Sequence, residues 1–333
     1  MVKKSILTGI KPTGQIHLGN YMGAIKPALE LARTPDYQAA YFIADYHALT
    51  KMHHAEEFRD LSNGVAATWL ALGLDPEQVI FYRQSDVPEI FELNWILSCF
   101  ASKGLLNRAH AYKAIGEDNK RLGRDPDFGV NMGLFNYPIL MAADILLFQT
   151  EVVPVGKDQV QHVEIARDLA HNFNRNYGET FLLPEYKIKK DTAVLPGLDG
   201  RKMSKSYQNT IPLFVEPKKL QKLINKIKTD SLPPEAPKDP DTSILFQLYT
   251  EFASSQEIQA MKKQYGNGIG WGEVKKELFL VMNRFIEEPR AKYTELMSSP
   301  ETIDKILKEG AEKARAISIP FLHEVKEKIG FKM

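Results

Sequence analysis

His17, Gly19 and Asn20 stand in the stretch Gly9-Ile10-Lys11-Pro12-Thr13-Gly14-Gln15-Ile16-His17-Leu18-Gly19-Asn20-Tyr21, between the apolar pair Ile6-Leu7 and a helical pattern starting near Gly23. Imidazole and carboxamide groups donate to phosphate oxygens, and a strand, glycine turn and helix in that order gather backbone N–H groups at the positive end of a helix dipole. Gly19 leaves room for a flat base to approach the backbone. The run is a candidate nucleotide cradle, although it has neither the Gly-x4-Gly-Lys-Ser/Thr of a Walker loop nor a dinucleotide Gly-x-Gly-x-x-Gly, and the same order also occurs with no ligand. A second run, Lys202-Met203-Ser204-Lys205-Ser206, follows Gly197-Leu198-Asp199-Gly200-Arg201. Two lysines on a loop with glycine freedom can carry ammonium groups onto a polyphosphate whose charge shifts during transfer; the plain alternative is a solvated basic loop.

A third feature is Asp144, a lone acid in the apolar helical run 133–147. A buried unpaired charge is costly, so it needs either a protein partner or a donor from a ligand. The chain then passes through Val152-Val153-Pro154-Val155-Gly156-Lys157-Asp158-Gln159, which reads as a short strand, a glycine and a helix carrying Gln161 and His162. Asp158 could meet ribose hydroxyls and Gln159 an amino or carboxylate group; each could equally be a helix cap or surface residue.

The elements that must position these groups alternate. Strand-like runs at 5–10, 39–44 and 79–84 are separated by helical runs at 23–33 and 55–73, with another helix at 88–103. That order predicts right-handed βαβ units, a doubly wound parallel sheet and ligands at the carboxyl ends of its strands, a rim that also receives Ala44-Asp45-Tyr46-His47. The polar run 116–127, with Lys120, Arg121 and Arg124, reads as a loop and candidate flap. Beyond Ser206, helical patterns at 217–228, 243–264, 273–298 and 302–329, broken by the proline-rich 232–240, predict a helical C-terminal domain. Lysines at 218, 219, 222, 226 and 228 cover the polar side of the first, as a solvated surface or as RNA phosphate contacts; Phe246-Gln247-Leu248-Tyr249 reads as core.

A chain of 333 residues favours two domains, and 44% hydrophobic with 26% charged residues fits a soluble globular protein without a membrane span. A net charge of +1 argues against coating nucleic acid by bulk electrostatics while allowing local basic patches. Cys99, the single cysteine, excludes an internal disulfide and a cysteine-built metal site, and reads as a small core residue of an apolar helix. No secretory signal is evident, so a reducing cytoplasm is expected.

Together the runs at 9–21 and 202–206 resemble the HIGH and KMSKS signatures of class I aminoacyl-tRNA synthetases in order and separation. The blocks 133–147, 154–162 and Asp45-Tyr46-His47-Ala48-Leu49-Thr50 are similar to those of the tryptophanyl-tRNA synthetase family, over essentially the whole chain. The resemblance implies a Rossmann-like catalytic domain at 1–212 and an anticodon-reading helical domain at 213–333. It implies an indole acceptor at Asp144 and a tryptophan pocket from Leu7, Gly9, His47, Tyr137, Met141, Val153, Val155 and Gln159. ATP contacts fall on Lys11, Pro12, Thr13, Gly19, Asn20, Gly156, Lys157, Asp158, Val194, Lys202, Met203, Ser204, Lys205 and Ser206, with His17, Asn20, Lys202 and Lys205 holding the departing pyrophosphate. Mg2+ comes with ATP and no metal is held by protein side chains; the partners are L-tryptophan, tRNA(Trp) and a second subunit. Departures are His17-Leu18 where Thr-Ile is common, Leu7 for an aromatic residue, Lys11 for glutamine and Lys157 for an acid. A tyrosine-specific sibling, a small nucleotidylyltransferase with the same cradle and a non-catalytic RNA-binding descendant are the competing expectations. The last is opposed by the intact lysines, and the second by the long helical region.

Overall fold

Strand-forming segments rich in β-branched and aromatic residues assemble in a computed structural model that describes residues 3–188 and 195–332. β1 (Lys4–Ile10), β2 (Tyr37–Ile43), β3 (Ile80–Arg83), β4 (Val152–Val155) and β5 (Glu185–Ile188) form one parallel sheet in the order β3-β2-β1-β4-β5. The chain winds outward from β1 through β2 to β3, then returns to the other side of β1 with β4. The strand order therefore reverses between β1 and β4, and a crevice opens beyond their carboxyl ends.

Alternation along the strands builds a core on each face of the sheet. Ile6, Ala39, Tyr41, Ile43, Phe81 and Val152 face one cluster, which Trp69 of the helix Ala55–Ala71 and the helices beyond residue 213 complete. Leu7, Phe42, Tyr82, Val153 and Val155 face the other, covered by the helices Glu89–Ser98, Met132–Leu147 and Val160–Tyr177. Both faces are thus covered by helices, as the alternating pattern predicts.

The region beyond 213 is helical through Pro217–Asn225, Ile244–Thr250, Ser255–Asn267, Trp271–Ser298 and Pro300–Lys328. The segment leading into it is tied to the cradle, where Leu213 N–H donates to Ile16 O at 3.0 Å and Leu18 N–H to Ile211 O at 3.0 Å, and Phe285 of the helix Trp271–Ser298 packs on Tyr21 with ring centres 5.5 Å apart. The last helix crosses the outer edge of the sheet at β3. Ile303 and Leu307 join one core, Ala311, Ala314, Phe321, Leu322 and Val325 the other, and Gly310 lies at the crossing. Arg83–Asp304, Arg315–Glu89 and Lys326–Glu92 pairs at 2.7, 2.8 and 2.9 Å flank it.

Several local expectations are corrected. Residues 116–127 are not one loop: the helix His110–Arg121 runs into them, with Gly116 and Asn119 buried. Asn119 Nδ2 donates to Pro126 O at 3.1 Å and Phe128 O at 2.9 Å, pinning the turn that follows, while Lys120 and Arg121 lie exposed on the helix and Arg124 in that turn. Cys99 is exposed and not core, because the helix Glu89–Ser98 ends there and Leu97 is its last buried residue. The run 243–264 is two helices, separated where Ser254 and Glu257 form a reciprocal cap. β5 lacks any expectation from sequence, since all four of its residues are exposed on the sheet's edge. Phe246, Leu248 and Tyr249 are core as expected.

Candidate active site

The crevice beyond β1 and β4 holds two adjoining cavities. The inner one, about 500 Å3, is lined by Leu7 and Gly9 of β1, Val153 and Val155 of β4, Tyr137, Met141 and Asp144 of the helix Met132–Leu147, His47, and Gln159. All nine residues expected around an amino acid are therefore brought together. The outer one, about 750 Å3, is lined by Thr13, His17, Gly19, Asn20, Gly156, Lys202, Met203, Ser204, Lys205 and Ser206. Asp158, Gln159 and Ala24 line both, so the two spaces are continuous.

Asp144 is 1% exposed at the inner end. Its two oxygens accept from different side chains, Oδ1 from Gln84 Nε2 at 2.7 Å and Oδ2 bonded to His47 Nε2 at 2.8 Å. Burial pushes its pKa above the usual carboxylate value, and the hydrogen bonds from His47 and Gln84 oppose that rise. Otherwise the slot is largely apolar. It ends in a fixed acceptor, which suits a large apolar body with one N–H donor.

In the same wall, Tyr137 Oη is hydrogen-bonded to His162 Nε2. Burial first, then Lys11 and His110, hold His162 down to about 4, so its imidazole is neutral at physiological pH. Lys11 Nζ lies over the Tyr137 ring at 5.1 Å, and the residue lines the inner cavity and not the outer one. Pro12 and Lys157 line neither, and Val194 lies outside the described residues.

In the outer cleft, the cradle and the lysine loop face one another. Lys205 Nζ donates to Thr13 O at 3.4 Å. Gly14 at φ +126° allows this approach, since a Cβ there would stand 2.9 Å from Lys205 Nζ. The His17 backbone N–H donates to Asn20 Oδ1 at 3.1 Å. Burial, then Lys205, hold His17 down to about 4. Its imidazole therefore stays neutral, and gains a proton only as the pH falls through that value.

The lysine loop has its own scaffold in Asn209, 2% exposed. Its Oδ1 accepts from Ser204 N–H at 2.8 Å, and its Nδ2 donates to Asp199 Oδ1 at 2.7 Å and Lys202 O at 3.1 Å. That bond, with Arg201, holds the Asp199 carboxyl down to about 2.

Gln84, Asn209, His110 and Ala111 belong to the site's fabric without having been singled out from sequence. Gln84 carried one readable signal: it closes a strand-like run whose end falls on the same rim as Ile10 and Ala44. Asn209 carried none.

A parallel sheet with a cleft at its strand-order reversal is a doubly wound α/β fold, the class in which ligands sit at that point. Residues 2–287 match the family model described as tRNA synthetases class I (W and Y). A tryptophan–tRNA ligase of Neisseria meningitidis is 52% identical over 333 residues, spanning 100% of this chain and 99% of that protein. One from Pseudomonas aeruginosa is 53% identical over 330 residues, 98% of this chain and 74% of its own. Tryptophanyl-tRNA synthetase from Campylobacter jejuni, in a crystal structure complexed with ADP and tryptophan, is similar with a TM-score of 0.90 and 44% identity over 98% of this chain and 100% of that one. Within the class I synthetases, the chain belongs to the tryptophanyl-tRNA synthetase family.

Proposed function

We propose that the protein activates L-tryptophan with ATP and transfers it to tRNA(Trp). One observation carries this reading: a buried carboxylate, already held as an acceptor by two protein donors, closes an apolar slot that opens into the cradle and lysine loop. A solved relative, from Campylobacter jejuni, is complexed with ADP and tryptophan.

Tryptophan's carboxylate, ionised at neutral pH, attacks the α-phosphorus of ATP; the bond to the β-phosphate oxygen breaks, and tryptophanyl-adenylate and pyrophosphate result. A ribose hydroxyl at the tRNA 3′ end then attacks the carbonyl carbon, and AMP leaves. Neither step needs a covalent nucleophile on the protein, so the residues contribute position and charge. Asp144 receives the indole N–H, and Tyr137 and Gln159 flank the ammonium group. Asp158 is placed at the ribose. Lys202, Lys205, His17 and Asn20 take the pyrophosphate, whose charge Mg2+ arriving with ATP shares.

Pyrophosphate exchange into ATP, with tryptophan, tyrosine and phenylalanine supplied separately, tests the reading. Tryptophan alone should support exchange; tyrosine-supported exchange would reassign the pocket, and none with any amino acid would make the chain non-catalytic. Lys205→Ala is expected to slow the pre-steady-state rate of adenylate formation more than tenfold, above roughly 1.4 kcal/mol, with tryptophan affinity little changed. An unaltered rate would remove Lys205 from the reaction.

Residues 1–212 serve as the catalytic domain and 213–333 as the anticodon reader in this proposal. The segment 103–124 carries Lys103, Arg108, Lys113, Lys120, Arg121 and Arg124 against Glu117 and Asp118, in a chain whose whole net charge is +1. His110 and Ala111 of the same segment line the inner cavity, which supports this basic surface as the approach for the tRNA 3′ end. Homodimerisation is supported by an exposed apolar group: Trp95 is 72% exposed, Met132 68% and Leu49 45%. Tyr46 packs on Phe91 with ring centres 4.2 Å apart, and Thr50 O accepts from Asn131 Nδ2, which ties the elements carrying these side chains together. No helix among the described residues is long and apolar enough to cross a membrane. With a single cysteine, the cytoplasm is the proposed compartment.

A further inference from the structure

We infer that Gln84 is a specificity-positioning residue for the tryptophan site: it holds the Asp144 carboxylate so that its free lone pairs face the indole N–H. This rests on the reading of Asp144 given above, and extends it to a side chain outside the cavity wall.

Gln84 is completely buried and follows directly after β3, at the start of the short 310 turn Gln84–Asp86. His47 belongs to the short helix Asp45–Ala48, which follows β2. The turns after two neighbouring strands therefore deliver one donor each to opposite oxygens of a carboxylate carried by the helix Met132–Leu147. A second acid locks the two turns together. Asp45, 3% exposed, accepts from Ser85 N–H at 3.1 Å, Ser85 Oγ at 2.5 Å and Tyr46 N–H at 2.9 Å. The spacing between Gln84 and His47 is thus set by groups that never touch the cavity.

The orientation of the Gln84 amide is the telling detail. Its Oε1 is buried without a hydrogen-bond partner, and a flip would not relieve that cost, because it would turn the carbonyl onto Asp144 and strand the NH2 instead. Two acceptors with no proton between them exclude that arrangement beside an ionised Asp144, so the amide is committed as a donor. The fully buried Tyr82 hydroxyl, also unpartnered, is pushed up by burial and by Asp144, and it supplies no opposite charge. A carboxylate needs such donors to remain an acceptor in an apolar wall. If it took up a proton instead, it would present an O–H, and the site would favour a ligand with an acceptor over one with an N–H.

The test compares two ligands of one shape in the full-length protein. L-tryptophan and its benzothiophene isostere, which has sulfur in place of the N–H, are supplied to the pyrophosphate-exchange assay with Gln84→Met. KM for tryptophan should rise at least tenfold with kcat within about threefold, while KM for the isostere moves less than twofold. Equal losses for both ligands would make Gln84 a packing residue and overturn the inference, as would unchanged KM for tryptophan. Gln84→Asn keeps an amide but withdraws its nitrogen by one methylene, so it should give the same selective loss in a protein that folds if the methionine variant does not. The underlying reading is checked apart from this one: should Asp144→Ala weaken tryptophan and isostere equally, the indole contact itself fails, whatever Gln84 does.

Discussion

Asp144→Ala is expected to lower kcat/KM for tryptophan in pyrophosphate exchange on the order of a hundredfold or more, about 3 kcal/mol, while KM for ATP stays within about threefold. Two losses add. The indole N–H enters an apolar slot with no acceptor, and the His47 and Gln84 donors, now 2.8 and 2.7 Å from nothing, are stranded in a buried space. The second loss also lowers the stability of the free protein, so a melting temperature must accompany the kinetics. Asp144→Asn separates the two, because the amide oxygen still accepts from Gln84 while its NH2 can donate to His47 Nε2 once the imidazole takes its other tautomer. A variant intermediate in kcat/KM and close to the parent in melting temperature is the expected result. Unchanged selectivity for tryptophan in both variants would show that the cavity recognises shape alone.

Gly310→Ala is the other large effect. A Cβ at this position would fall 1.7 Å from the Phe81 carbonyl oxygen and 2.6 Å from its carbonyl carbon. Neither atom can swing aside, since Phe81 lies within β3 and is paired in the sheet with Tyr41. The last helix must move off the strand, loosening Leu307, Ala311 and Ala314 on either side of it. We expect a loss of roughly 3 kcal/mol, read as a fall in the urea midpoint with an unchanged slope. A midpoint within error of the parent would mean that helix and strand do not meet so closely in solution.

Much of this site could be read in the chain before any geometry. The cradle is a local object, strand, turn and helix within about twenty residues, and local order is what residue patterns report. Asp144 stood out for the same reason, as one acid in an apolar helix. Its pairing did not: His47, 97 positions away, is reached through the strand rim and the family resemblance and not as a partner of Asp144, and Gln84, 60 positions away, is joined to it only by the order of the strands. Asn209 supports the lysine loop through a fold-back that has no periodic signature. Cys99 and the run 116–127 were misread through composition: an apolar neighbourhood did not bury the one, and charge did not unfold the other. β5 escaped because an exposed edge strand need not alternate.

The way the last helix crosses the edge of the sheet also bears on how the protein is made. Synthesis proceeds from the N-terminus, so all five strands leave the ribosome before the residues that cap β3 on both faces. Until Gly310 has emerged and settled against Phe81, the first three strands present an uncovered margin with apolar side chains on each side. The amino-acid site cannot be complete in that interval, since Gln84 hangs from the end of the uncovered strand. A nascent chain stalled short of this helix should therefore be held by chaperones and bind no tryptophan, even though every residue of the proposed pocket has already been translated.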